Sequence, residues 1–243
     1  MEDRALSPPA APRAGPHPAR RVLVAALLVL ATLLLGGDDN RVRRWTFVDD
    51  VATPADLGLS VADPRGGAWE LVDDPGATGA RALVSRAGGE DGPPAAIVAR
   101  DVRVRDVRAM TRCKVSATDH ACGLVFRFVG LSDHHVAQLD ASGQRIVLSA
   151  VRSGAVRVLA EAPAKVGTGV WYELAIEAQG DTIRVRQDGD VRITAHDTTP
   201  SRLGAVGLWT PSASEAGFDE LVIEPLTPSP QVIELVPFFA KSS

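Results

Sequence analysis

Apolar and polar residues alternate along most of this chain in short runs. In WYELAIEA, Tyr172, Leu174 and Ile176 fall on one side, and Glu173, Ala175 and Glu177 on the other. That period of two is what a strand with one buried face requires. Gly180-Asp181 then predicts a turn, after which Ile183 and Val185 face a core and Arg184 and Arg186 face water. Asp188-Gly189 is a dipeptide suited to the positive φ of a two-residue hairpin loop, and Val191 and Ile193 resume the alternation beyond it. The same pattern starts near Arg41 with RRWTFVDD, GAWELVDDPG and ARALVSR. It continues through one long run, AAIVARDVRVRDVRAMTRCKVS, then ACGLVFRFVG, HHVAQLDAS, QRIVLSAVRSG and AVRVLAEAP, and closes with GAVGLWT and GFDELVIEP. Short strands at such regular spacing, with Gly and Pro clustered between them, predict an all-β sandwich or barrel over residues 41–225. Helical periodicity is confined to the N-terminal apolar run, and no fixed-period repeat points to a propeller or solenoid.

Both ends depart from this pattern. Residues 1–21 are rich in Pro, Ala and Arg without apolar periodicity, which predicts disorder. Arg20 and Arg21 then abut VLVAALLVLATLLL, and a basic stretch before an apolar one marks residues 22–37 as an export segment, either a signal or a signal anchor. The run is shorter than the ~20 residues of an ordinary spanning helix. No small-x-small cleavage site follows it. Anchored and released forms both stay open, with the lean toward a membrane tether and the domain outside the cytoplasm. Basic residues before the segment and Asp38 and Asp39 after it set that orientation. Residues 226–243 read as a linker followed by an apolar tail containing Phe238 and Phe239.

Composition narrows the function classes. An apolar content of 45% supplies an ordinary globular core, and a net charge of −4 without a basic block argues against a nucleic-acid partner. Export makes the two cysteines informative. Cys113 and Cys122 flank a polar turn and share the apolar parity of their strands, so a cross-strand disulfide within a hairpin and a pair of buried thiols are both consistent with their spacing. The sequence holds no G-x-S-x-G, H-E-x-x-H or C-x-x-C and no complete glycine-rich phosphate loop. Glu173 and Glu177 share a face but read as solvated strand residues.

The segments CGLVFRF, HHVAQLDASGQRIVLSAVRSG, GVWYELAIE, QDGDV, GLWT and FDELVIEP, in that order, resemble the concanavalin A-like (laminin G-like) jelly roll. Within that group the likeness is to the bacterial domain named for 3-keto-disaccharide hydrolase, and it spans Trp45 to Pro225. The resemblance implies two curved antiparallel sheets, one of them concave, with carbohydrate as the ligand class. It also places His134 and His135 where the family carries aromatic residues on its ligand-side strand. Arg127, His134, His135 and Gln138 are therefore the expected ligand-binding residues, with Arg127 leaving the core between Phe126 and Phe128. The E-x-D-x-x-E string of related glucanases is absent, so catalytic residues are not assigned. No cofactor is required; the one metal expectation is a structural calcium at Asp219 with Asp49, by analogy with sandwich glucanases and lectins. The leading expectation is an exported, membrane-tethered sandwich that binds a glycan or polysaccharide. A hydrolase of the 3-keto-disaccharide type is the alternative, and a protein-interaction ectodomain a further one.

Overall fold

The computed structural model describes residues 41–47, 53–89, 91–199 and 202–226. The arm 1–21, the export segment 22–37, Asp49 and all but the first residue of the tail 226–243 lie outside the described residues. Those described form fifteen strands, numbered in chain order and paired antiparallel throughout, plus one 3-10 turn at Pro64–Gly66. One sheet runs β13 (Asp190–His196), β12 (Thr182–Gln187), β11 (Tyr172–Gln179), β6 (Val107–Val115), β15 (Ala216–Pro225), β4 (Arg81–Ser85), β3 (Trp69–Asp73). In it β1 (Arg43–Thr46) lies beside the second half of β15. The other runs β10 (Ala155–Pro163), β9 (Arg145–Arg152), β8 (Asp133–Asp140), β7 (Ala121–Gly130), β14 (Ala205–Thr210), β5 (Ala95–Ala99), β2 (Leu59–Val61).

Between the sheets, alternate residues interdigitate into one core. Leu83, Leu174, Ile176, Ile183, Phe218 and Leu221 come from the eight-stranded sheet. Ile97, Leu124, Phe126, Leu139, Ile146, Leu148 and Leu208 come from the seven-stranded one. Each such side chain contributes about 1.5–3 kcal/mol on leaving water. The β11–β12–β13 meander follows the sequence pattern closely. Ala178 pairs with Ile183 around the Gly180-Asp181 turn, and Asp188 and Gly189 adopt φ of 50° and 86° in the next turn.

Three details differ from the sequence expectation. Val191 does not return to the core but is 45% exposed, because the register slips between Val185 and Arg186 and a bulge re-aims the start of β13. The long alternating run at 95–116 is two strands in different sheets, β5 and β6, since the chain crosses between layers at 100–106. For the same reason Cys113 and Cys122 do not face each other in a hairpin. β6 pairs with β11 and β15, whereas β7 pairs with β8 and β14. The polar turn between them carries the chain from one sheet to the other. Both side chains point into the interior, where a disulfide joins them with Cα atoms 6.3 Å apart.

This bridge ties the two layers at their centre while closing only a short loop. Replacing both cysteines by alanine is expected to lower the unfolding free energy by about 2–3 kcal/mol, read from the urea midpoint. An unchanged midpoint would show that packing alone holds the layers together.

Candidate functional site

The seven-stranded sheet is apolar on both faces. Its inner face joins the main core, and its outer face carries a second buried cluster of Ala96, Val98, Val125, Phe128, Val136, Ala205 and Trp209. Strand alternation places His134 and Gln138 on that outer face, either side of Val136, while Ala137 and Leu139 point inward. Register then builds a row across the sheet. Ala96 pairs with Trp209, Trp209 with Gly123, Gly123 with Gln138 and Gln138 with Val147. Gly123 thus leaves a floor without a side chain between an indole and an amide. The glycine is required there, because a Cβ would lie 2.5 Å from the carbonyl oxygen of Ala137. Gly207, in the next row, is crowded in the same way by the Ile97 carbonyl. Trp209 is 8% exposed, yet its Nε1 has no hydrogen-bond partner among the described residues, and neither does Gln138 Oε1. Both atoms are buried, so this donor and this acceptor lie beneath the outer face rather than exposed on it.

At one edge of this face Arg145 lies opposite Asp140. Its Nε donates to Asp140 Oδ2 at 2.9 Å and its Nη1 to Glu161 Oε2 at 3.0 Å. Burial raises the Asp140 pKa, but hydrogen bonds from Ser142 and Arg145 outweigh it and hold the carboxyl below its ordinary range. Of the other tryptophans, Trp69 packs on Phe218 in the core and Trp45 donates to the Leu57 carbonyl. Trp171 lies on the far side of the molecule beneath Arg112 and Lys114.

The four expected ligand residues do not share one surface. Arg127 sits in a bulge of β7 with φ of 49°, and this left-handed residue breaks the alternation. Phe126 therefore faces in, Phe128 faces out, and the Arg127 side chain turns inside, where it is 1% exposed. Its Nε donates to the Arg105 carbonyl at 3.0 Å and its Nη2 to the Gly180 carbonyl at 2.7 Å. His135 faces inward too, stacked on Phe126 at 5.2 Å between centroids, with Nε2 2.8 Å from Asp197 Oδ2. His134 stays on the outer side against Phe128, its Nδ1 3.1 Å from the Gly130 carbonyl. Only His134 and Gln138 remain together on the expected face. Trp209 lies in the GLWT segment but is not among the expected ligand residues, and Asp197, Arg152 and Arg157 carry no motif that singles them out. The one local hint is Asp197 before Thr199, whose backbone N–H donates to Asp197 Oδ1 in an Asx turn.

Asp219 is placed by a bulge in β15 and is already engaged. It accepts from Thr78 N at 3.0 Å and Thr78 Oγ1 at 2.7 Å, and pairs with Arg112. A carboxylate that close to a guanidinium is a poor calcium ligand. Among the described residues no three His, Cys, Asp or Glu side chains converge as a metal site, so those described do not fit the expected calcium. Glu177 is ion-paired with Arg108 at 3.0 Å and Arg184 at 2.8 Å across neighbouring strands.

Burial pushes the His135 pKa from 6.5 down to about 4, and the Arg152 and Arg127 guanidinium groups outweigh part of the opposing pull of Asp197. The unfolded chain takes up a proton near 6.5, the native state only near 4. In that window the unfolded state binds more protons, and stability falls as pH is lowered through it. Burial shifts His134 the same way. Asp197, held far below its usual range by hydrogen bonds from His135 and Thr199 despite burial, adds a loss that begins below about pH 4. The thermal midpoint is therefore expected to fall between pH 6.5 and 4, by the equivalent of about 3 kcal/mol from His135. His135→Gln should flatten most of that slope; a wild-type midpoint constant down to pH 4.5 would contradict a buried neutral imidazole.

No family model matches the sequence, and no curated protein is found similar to it. Solved structures do match. The carbohydrate-binding module CBM66 from Bacillus subtilis is 21% identical with a TM-score of 0.57, over 69% of this chain and 95% of that one. The Bacillus licheniformis β-glucanase is 10% identical with a TM-score of 0.55, over 76% and 98%. The GH43 protein BlXynB of Bacillus licheniformis is 16% identical with a TM-score of 0.55, and only 40% of its length is covered. At these identities the likeness is one of architecture: this chain has the concanavalin A-like jelly-roll fold.

Proposed function

We propose that the chain is a carbohydrate-binding sandwich whose ligand docks on the outer face of the seven-stranded sheet, between Trp209 and Gln138. The observation that carries this reading is the row of Trp209, Gly123 and Gln138 across the sheet, whose Nε1 donor and Oε1 acceptor are buried without a partner among the described residues, so that a ligand reaches them by displacing what covers them. A sugar offers an apolar ring face to an indole and hydroxyls that both accept and donate, which is the complement of those groups. The likeness to a carbohydrate-binding module and to glucan-acting folds supports the same ligand class. The apolar segment at 22–37 and the interior disulfide support an exported, membrane-tethered setting, since such bridges persist in oxidising compartments.

Binding is favoured over hydrolysis by the carboxyl groups on this face. Glycoside cleavage needs one carboxyl kept protonated as acid and a second as base or nucleophile. Asp140 and Glu161 instead share one guanidinium, and Asp140 is held ionised. A protein partner is the reading favoured by a separate observation: Val156, Val158, Val129 and Leu203 are all more than half exposed.

A glycan array followed by calorimetry on the purified chain tests the proposal. Trp209→Phe keeps a ring but removes the N–H, and Gln138→Leu keeps the bulk but removes the acceptor. Each is expected to weaken binding about tenfold, the worth of one hydrogen bond. A bound glycan insensitive to both changes would place the ligand elsewhere, and an array without any binding would move the weight to a protein partner.

A further inference from the structure

Both ends of the described sandwich leave it at the same place, the end where β7 is bulged. Arg43 pairs with Ile223 near the close of β15, and the Leu226 N–H donates to the Asp106 carbonyl at 2.9 Å. Asp106 Oδ1 accepts from the Gly180 N–H at 3.0 Å, and Arg127 Nη2 donates to the Gly180 carbonyl. The β11–β12 turn and the bulge therefore belong to this end as well. Val104 bridges Gly204, and the Gly154 N–H donates to the Ser132 carbonyl at 3.0 Å, which adds the loop before β14 and the β7–β8 and β9–β10 turns. The four most exposed large apolar side chains among the described residues sit on or beside these segments: Val156, Val42, Leu203 and Val129, each 58% exposed or more. At the opposite end Val170 and Val191 reach only 46% and 45%.

The crossing between layers at 100–106 lies at this end too. It exposes Arg100, Arg103 and Arg105 against one exposed acid, Asp101. Arg103 donates to the Arg100 and Val102 carbonyls, and none of the three arginines forms an ion pair among the described residues. Asp56 and Asp181 are the other exposed acids of these loops. Apolar tips interleaved with arginine fit a bilayer interface, where the tips enter the boundary of the acyl chains and guanidinium groups meet lipid phosphates. Chain length favours that partner over a protein. The apolar segment 22–37 ends four residues before Arg41, so at most about 14 Å of chain separates them. The headgroup layer is itself about 5–7 Å thick, so a tethered sandwich holds this end against the interface. Asp38 and Asp39 in the link offset part of the arginine charge, which makes the apolar tips the main contact.

We propose that this end of the sandwich is a membrane-contact surface, where Val42, Val129, Val156 and Leu203 meet the interface of the bilayer that holds the apolar segment. Arg103 and Arg105 face the lipid phosphates beside them. The inference rests on the tethered reading given above and adds an orientation to it. The strands stand upright on the bilayer, and the loops of the opposite end, 116–120 among them, point away from it.

The full chain reconstituted in vesicles of phosphatidylcholine and phosphatidylglycerol tests this. An environment-sensitive fluorophore is attached to V129C, to L203C or, as a control at the opposite end, to D119C. All three positions are exposed, and the native cysteines are closed in the buried disulfide. Labels at 129 and 203 are expected to shift their emission to the blue and to be quenched by lipids spin-labelled near the headgroup, with the label at 119 unchanged. Flotation of the vesicles separates this inference from the one beneath it. A chain left in the soluble fraction would sink the tether and this surface together. A floating chain whose labels at 129 and 203 stay as wet as the one at 119 would overturn this surface alone and return those side chains to a protein partner.

Discussion

Strand β7 is buried on both sides, and the rest of the candidate site follows from that constraint. Cys122, Leu124 and Phe126 project into the core between the sheets, while Val125 and Phe128 project into the second apolar cluster. A strand loaded in both directions has no wetted face on which to place a charged residue. Arg127 therefore reaches a polar partner only through a break in the alternation, and the left-handed bulge supplies it. The same bulge puts Phe126 and Phe128 on opposite faces, where they meet the alternating histidines of β8: His135 stacks on the first and His134 packs tilted against the second.

Two polar environments result, and they differ in what surrounds them. On the outer face, one indole N–H and one amide oxygen are buried without a partner among the described residues, beside glycines that the neighbouring backbone leaves no room to enlarge. Those groups are neutral, and each costs about 1–3 kcal/mol when left unpaired in the interior. Inside, the open groups belong to guanidinium and imidazole side chains cut off from solvent, where an uncompensated charge is expensive.

The disulfide and the ion pairs play supporting parts of unequal weight. Cys113–Cys122 ties the centres of the two sheets. Surface pairs such as Arg108 with Glu177 and Glu224 are partly exposed and are each worth little, about 0–1 kcal/mol. They give the eight-stranded sheet a solvated outer face, in contrast to the apolar outer face of its partner. That asymmetry distinguishes the two outer faces of the sandwich.

Residue periodicity determined the strands, the 180–196 meander, the sandwich class and the solvated reading of Glu173 and Glu177, because period-two alternation and Asp-Gly turns are local properties. Which strands share a sheet was not local. The alternation of 95–116 runs unbroken through a crossing between layers, and the cysteine spacing fits a hairpin as well as it fits the inter-sheet bridge that formed. Arg127 shows the limit most sharply: its parity reads outward in sequence, and a single φ of 49° turns it inward. Trp209 and Gln138 lie about 70 positions apart and meet across Gly123 only through β-sheet register. Asp197 reaches His135 through the packing of the two sheets. Sequence sets which faces are apolar; the hydrogen-bonded registers and the packing of the layers decide which distant side chains those faces bring together.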